Sequence, residues 1–251
     1  MNGIAVRLER LKREAKKEWK RKWRQKLRQA APANSAEWRA LAVAVMSGLL
    51  KIVLIIALPF GVLVRGSVFI YEHGETPVWV AVVTAAFLTG GVITVYAVWL
   101  ARKFTSRGGR GGRALVLPLA KWVALPLVIF YCSYSLLYLA SVNAKSPPVR
   151  AYYRSVHPLM RLALSTLILV DRDMIITDTG RQPEDYSRMR LPANTRTRHY
   201  KQADGWIHAV DLRTTGRGAV KNRTVQLYFW LMGFETRRHV GTADHLHVEL
   251  N

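Results

Sequence analysis

The chain has 251 residues, of which 50% are hydrophobic and 22% charged, with a formal net charge of +22. Such a mixture folds only if the two kinds of residue are segregated, and residues 1–150 carry 23 of the 38 Lys+Arg against 6 of the 16 Asp+Glu, which excludes a uniform soluble globule. The single cysteine, Cys132, excludes an intrachain disulfide and a cysteine-based zinc knuckle, so any metal site must draw on histidine and carboxylate.

Residues 1–30 hold 12 Lys/Arg and three Glu without proline. Ile4, Leu8, Leu11, Ala15, Trp19, Trp23 and Leu27 recur every three or four residues. That pattern predicts a basic amphipathic helix suited to an anionic inner-membrane leaflet, with nucleic-acid binding as the less favoured alternative. The basic stretch is too long for a signal peptide. Three apolar stretches follow, at about 41–64, 78–100 and 114–141. Each reaches the roughly 20 residues that cross a bilayer as a helix. Lys51 and Lys121 fall inside the first and third, where snorkelling or pairing is the simpler expectation than function, and Pro59, Pro118 and Pro126 predict kinks. The loop at 65–77 contains one basic residue and the RGGRGG-containing loop at 102–113 contains five, so the positive-inside rule puts the N-terminus and the second loop in the cytoplasm. The chain from 142 onward is then expected on the outer face of a bacterial cytoplasmic membrane.

Residues 150–251, after a Pro-containing linker, have the composition of a soluble domain. A helix is predicted at 157–170, a short strand within 173–180, a strand at 206–214, a helix at 225–234 and a strand at 245–250. The order predicts a small α+β domain with helices segregated over an antiparallel sheet. In the last two strands Asp211 shares a face with Ala209 and Arg213, and His245 shares one with His247 and Glu249. Five of the seven histidines lie between 199 and 247. A carboxylate and imidazoles presented by neighbouring strands are what a catalytic zinc site requires, although by spacing alone the signal is weak.

Three blocks in order, TDTGRQPEDY (177–186), TRHYKQADGWIHAVDLRT (197–214) and YFWLMGFETRRHVGTADHLHVEL (228–250), resemble the zinc D-alanyl-D-alanine peptidase family of cell-wall carboxypeptidases, dipeptidases and phage L-alanyl-D-glutamate endolysins. The resemblance covers about 157–251. It implies a zinc peptidase-like domain in which His199, Asp211 and His247 bind zinc, Asp244 is the general base and Arg181 stabilises the oxyanion of the attacked carbonyl. It departs from the family in one respect: eleven residues separate His199 from Asp211 where six are usual, so an inserted loop must restore the register. His208 and His245 are the rival ligands. His208 is disfavoured because alternation sets it opposite Asp211, and His245 because the acidic-x-x-His spacing selects His247. Asp204 and Glu249 are candidate partners orienting a ligating imidazole, and His239 is expected in a loop.

The function expected from these readings is a membrane-anchored zinc metallopeptidase cleaving peptidoglycan stem peptides, as an endopeptidase or D,D-carboxypeptidase. A catalytically inactive peptidoglycan-binding scaffold and a phage or mobile-element lysis protein are the alternatives.

Overall fold

The computed structural model describes residue 7 and residues 12–24, 34–104, 117–137, 142–188, 190, 192, 196–241 and 244–251. Most of the predicted basic helix at 1–30 beyond 12–24, and the RGGRGG run, lie outside them. Residues 12–24 are helical, and Trp19 and Trp23, one turn apart, are exposed with ring centroids 6.0 Å apart. The chain divides into two compact units, Met1–Ile55 and Ile56–Asn251.

Among the described residues, three helices are long and apolar enough to cross a membrane. α1 (Ser35–Gly74) runs beyond the expected stretch 41–64 at both ends, α2 occupies Val78–Phe104, and the third starts at Leu117, passes through a π-helical turn at Ala120–Ala124 and ends as α3 (Leu125–Leu137). The π turn immediately precedes Pro126, whose missing N–H and bulky ring disturb the regular ladder. Lys121 lies over the Trp122 ring, 5.0 Å from its centroid, a cation–π contact that lets a lysine sit within an apolar helix.

A short helix α4 (Pro147–Tyr152) leads through a 3-10 turn to α5 (Pro158–Val170). Pro158 suits the first helical position, and His157 caps the helix, its Nδ1 accepting from Leu159 N at 3.3 Å. Residues 158–168 of α5 are buried on every side, which is why their sequence is apolar all round rather than striped. Burial of side chains such as Leu159, Leu162 and Leu164 contributes about 1.5–3 kcal/mol each. Polar side chains among them tie α5 to α3: Arg161 Nη1 donates to Leu136 O at 2.6 Å and Ser165 Oγ to Ser135 O at 3.0 Å.

The remaining elements are β1 (Ile176–Asp178), α6 (Pro183–Arg188), β2 (Ala209–Arg213), α7 (Ala219–Met232), β3 (Glu235–His239) and β4 (His245–Glu249). The strands form one antiparallel sheet in the order β1-β2-β4-β3. One face, with Val210, Leu212, Leu246 and Val248, belongs to a single hydrophobic cluster with α5 and α7. Leu63, Val64 and Val68 of α1 and Val78, Val82 and Ala85 of α2 enter the same cluster. The sequence-based division at residues 141–150 therefore does not separate two cores: the ends of the long helices complete the core of the sheet domain. The other face of the sheet is left open, and it carries the polar residues considered next.

Candidate metal centre

β2 and β4 pair with Asp211 opposite His247, so the two side chains project together from the open face. His247 Nδ1 lies 2.8 Å from Asp211 Oδ1. His199 comes from outside the sheet. The eight residues between it and His208 contain a hairpin: Lys201 bridges Ile207, Gln202 N donates to Trp206 O at 2.8 Å, and Gly205 takes the φ of +82° that the turn demands. His208 N then donates to Arg198 O, which brings the chain back beside β2 and sets His199 Nε2 3.4 Å from Asp211 Oδ1. The residues between His199 and His208 thus form a hairpin that returns the chain to the side of β2.

The turn after β1 holds these groups in place. His199 Nδ1 faces the Thr179 carbonyl at 2.6 Å, a contact that calls for a proton on Nδ1, and Nε2 is the nitrogen turned toward Asp211. Gly180 lies where no side chain fits, since a Cβ would stand 2.5 Å from the Tyr152 ring and 2.8 Å from Ile207 Cδ1. Arg181 donates from Nε to Asp178 Oδ2 at 2.6 Å, from Nη2 to Asp211 Oδ2 at 2.7 Å and from Nη1 to the Tyr186 hydroxyl at 3.4 Å. One Asp211 oxygen is therefore fixed on Arg181 and the other turned to the imidazoles.

Burial opposes the Asp211 charge, yet hydrogen bonds from His199 and His247 outweigh it and hold the carboxyl far below the usual carboxylate range. Burial likewise works against charged His247, but Asp211 and Glu249 prevail and raise its pKa. Glu249 Oε2 accepts from His247 Nε2 at 3.2 Å, across the ring from Asp211. His245 Nε2 is 3.7 Å from Asp211 Oδ1, and its ring stacks on His239, which ends β3 on the same face rather than lying in a loop. These residues line a cleft of about 690 Å³ whose walls also carry Lys145, Arg198 and Arg237.

Asp244 is placed elsewhere. Three residues along an extended chain reverse the face, so Asp244 has the parity of Leu246 and Val248 while His247 has the opposite one. Its carboxylate accepts from Thr214 Oγ1 at 2.6 Å and from Arg238 at 2.8 and 3.1 Å, and it is not among the side chains lining the cleft. The expected base does not join the expected ligands, and Arg181 is committed to three acceptors instead of being free for a substrate oxygen.

Two groups among the described residues could hold a metal ion, His199–Asp211–His247 and His157–Asp204–His208, each with its ligand atoms within 4.8 Å of one another. Donors about 2.0–2.1 Å from a tetrahedral ion stand roughly 3.3 Å apart, which the 2.8 and 3.4 Å separations in the first group bracket. Ligating imidazoles almost always donate their other nitrogen to an acceptor. In the first group both do, to Thr179 O and to Glu249. In the second, His208 Nε2 contacts Asp204 Oδ2 at 2.8 Å while buried His208 Nδ1 has no partner among the described residues, and His157 Nδ1 faces a backbone donor. His208 thus lies across β2 from Asp211, as alternation requires. Thr179 and Asp178 were not found from sequence: the first acts through its backbone carbonyl, which leaves no residue-type signal.

Replacing Glu249 with Ala is expected to weaken metal binding about 10–100-fold while leaving the fold intact, measured by chelator competition. His157 has a different consequence. Burial, with help from nearby His208, pushes its pKa down to about 3, so between pH 6.5 and 3 the unfolded chain takes up a proton that the folded chain refuses. Stability is complete above pH 6.5 and falls by about 1.4 kcal/mol per unit below it. The unfolding midpoint should therefore drop more between pH 7 and 5 for the natural protein than for His157→Gln.

No protein-family model, curated protein or solved structure matches this chain.

Proposed function

We propose that the protein is a membrane-anchored zinc peptidase acting on the peptide stems of peptidoglycan, with His199, Asp211 and His247 as the metal ligands. The observation that carries this reading is the placement of the ring nitrogens: each imidazole has its distal nitrogen against an acceptor and its proximal one directed at Asp211 Oδ1. That donor set, two imidazole nitrogens and one carboxylate beside a cleft, is the chemistry of a catalytic zinc site. Zinc supplies a Lewis acid and an activated water there. Arg181 orients the Asp211 ligand, Glu249 orients His247, and the Lys145 and Arg237 cations on the cleft wall suit a substrate bearing carboxylates. Support for peptidoglycan as substrate is the three-block resemblance, and support for an outward-facing domain is the distribution of basic residues between the loops.

A second reading, a peptide-binding scaffold without hydrolysis, is favoured by one observation. Asp244 lies on the far face of the sheet in the grip of Arg238 and Thr214. The test is incubation of the zinc-loaded full chain in detergent with muropeptides, followed by mass analysis. Cleavage at a stem peptide bond that is lost in Asp211→Asn supports the peptidase. Retention of muropeptide without cleavage supports the scaffold, and the absence of both cleavage and retention would remove peptidoglycan from the account.

A further inference from the structure

Four residues form a row across the strands of the sheet. Arg237 of β3 stands opposite His247 of β4, His247 opposite Asp211 of β2, and Asp211 opposite Asp178 of β1. Neighbouring strands lie about 4.8 Å apart, so Arg237 is one spacing beyond His247, on the side away from Asp211. Its side chain lines the same cleft as His199, Asp211 and His247. Lys145 is at the opposite edge: Ala144 bridges Ile176 of β1, and β1 and β2 lie between that segment and His247.

The Arg237 guanidinium is exposed and makes no ion pair or hydrogen bond among the described residues. The carboxylates that share its face are engaged elsewhere. Glu235, two residues back along β3, accepts from Asn251 Nδ2 at 2.6 Å, and Glu249, diagonal to Arg237 on β4, faces His247 Nε2 at 3.2 Å. A guanidinium left open in this way is a fork for a carboxylate, to which it donates two parallel N–H bonds. Spacing selects which carboxylate. Each residue of an extended peptide adds about 3.3 Å, so the carboxylate of the residue just past the attacked carbonyl stays within one strand spacing of the reacting carbon. One that is two residues further on lies about two spacings away and passes Arg237 by.

We propose that Arg237 holds the C-terminal carboxylate of the bound peptide, so that the bond placed at the metal is the last in the chain and the protein is a carboxypeptidase and not an endopeptidase. The cleavage rests on the peptidase reading, and the binding rests on the cleft alone. In the step itself the hydroxyl of a water adds to the carbonyl carbon, the C–N bond breaks, and the nitrogen takes the remaining proton of that water. One free amino acid leaves, its carboxylate released from Arg237.

The test uses the zinc-loaded full chain in detergent and a synthetic stem pentapeptide ending in D-alanyl-D-alanine, as the free acid and as the C-terminal amide. The expected result is release of the terminal D-alanine from the acid, with kcat/KM at least about tenfold lower for the amide, mainly through KM, and no difference between the two in Arg237→Gln. Arg237→Lys should recover part of the preference, since an ammonium supplies charge without the fork. A preference for the acid that persists in Arg237→Gln would overturn the proposal by placing the carboxylate elsewhere. Equal handling of acid and amide by the natural protein, or cleavage at an inner bond, would overturn it too and leave the peptidase reading standing. If neither peptide is cleaved, calorimetric titration with the same pair decides. Tighter binding of the acid that is lost in Arg237→Gln upholds the carboxylate anchor while the peptidase reading falls, and equal or absent binding overturns the anchor. Arg237 is exposed on an edge strand, so its replacement should leave the circular dichroism spectrum unchanged.

Discussion

His247→Ala is expected to abolish stoichiometric metal binding and, if the peptidase reading holds, to reduce stem-peptide hydrolysis by at least about a thousandfold, since a catalytic zinc keeps only three protein ligands and loses its position when one is removed. The loss should exceed the effect of Glu249→Ala, because Glu249 acts on the imidazole and not on the ion. Asp211 would remain anchored by Arg181, so the variant should fold. His208→Ala supplies the contrast. Its imidazole faces Asp204 on the other side of β2, and its removal should leave metal content unchanged. Metal analysis after dialysis, with circular dichroism as the folding control, reads both outcomes.

The second large effect is expected at Arg181. Its guanidinium bridges Asp178 and Asp211 with its side chain only 18% exposed, and Asp211 is more deeply buried still. Removing the guanidinium leaves Asp178 and Asp211 without their shared cation, which costs up to about 3 kcal/mol, with Asp211 still held by His199 and His247. Arg181→Ala should therefore unfold at a clearly lower temperature and bind metal more weakly, because Asp211 Oδ1 is aimed by the bond that Arg181 makes to Oδ2. Arg181→Lys should restore little of either property: an ammonium cannot donate in three fixed directions to Asp178, Asp211 and Tyr186. Were Arg181 instead a group acting only on substrate, both variants would bind metal as tightly as the natural protein.

Much of this arrangement was legible in the sequence, for reasons that differ by element. Apolar length alone picks out α1, α2 and the stretch ending in α3. Period-two alternation places Asp211 on one face of β2 and His245, His247 and Glu249 on one face of β4, and pairing of those strands follows from a small antiparallel sheet. The same alternation assigns His208 away from Asp211, yet the acidic-x-x-His spacing taken from the resemblance pointed to Asp244, which an extended chain carries to the core side. Strand parity was the better guide there. β3 escaped notice because Glu235–His239 is an edge strand of charged and polar residues, the composition that keeps an edge from pairing with another chain. The contribution of Thr179 is a carbonyl oxygen and that of Gly180 is the lack of a Cβ, and neither has a spacing rule. The merging of the α1 and α2 ends with the sheet core is a long-range packing result that local patterns do not encode.

The claim on which the account rests is that one ion is shared by His199, Asp211 and His247. Zinc-edge X-ray absorption on the full chain, dialysed to remove loose metal, tests it most directly. The account predicts one equivalent of zinc with two imidazoles and a carboxylate oxygen at about 2.0–2.2 Å, and no zinc in the His199→Ala variant. Zinc that persists in His199→Ala but disappears in Asp204→Asn would place the ion in the other cluster and contradict it.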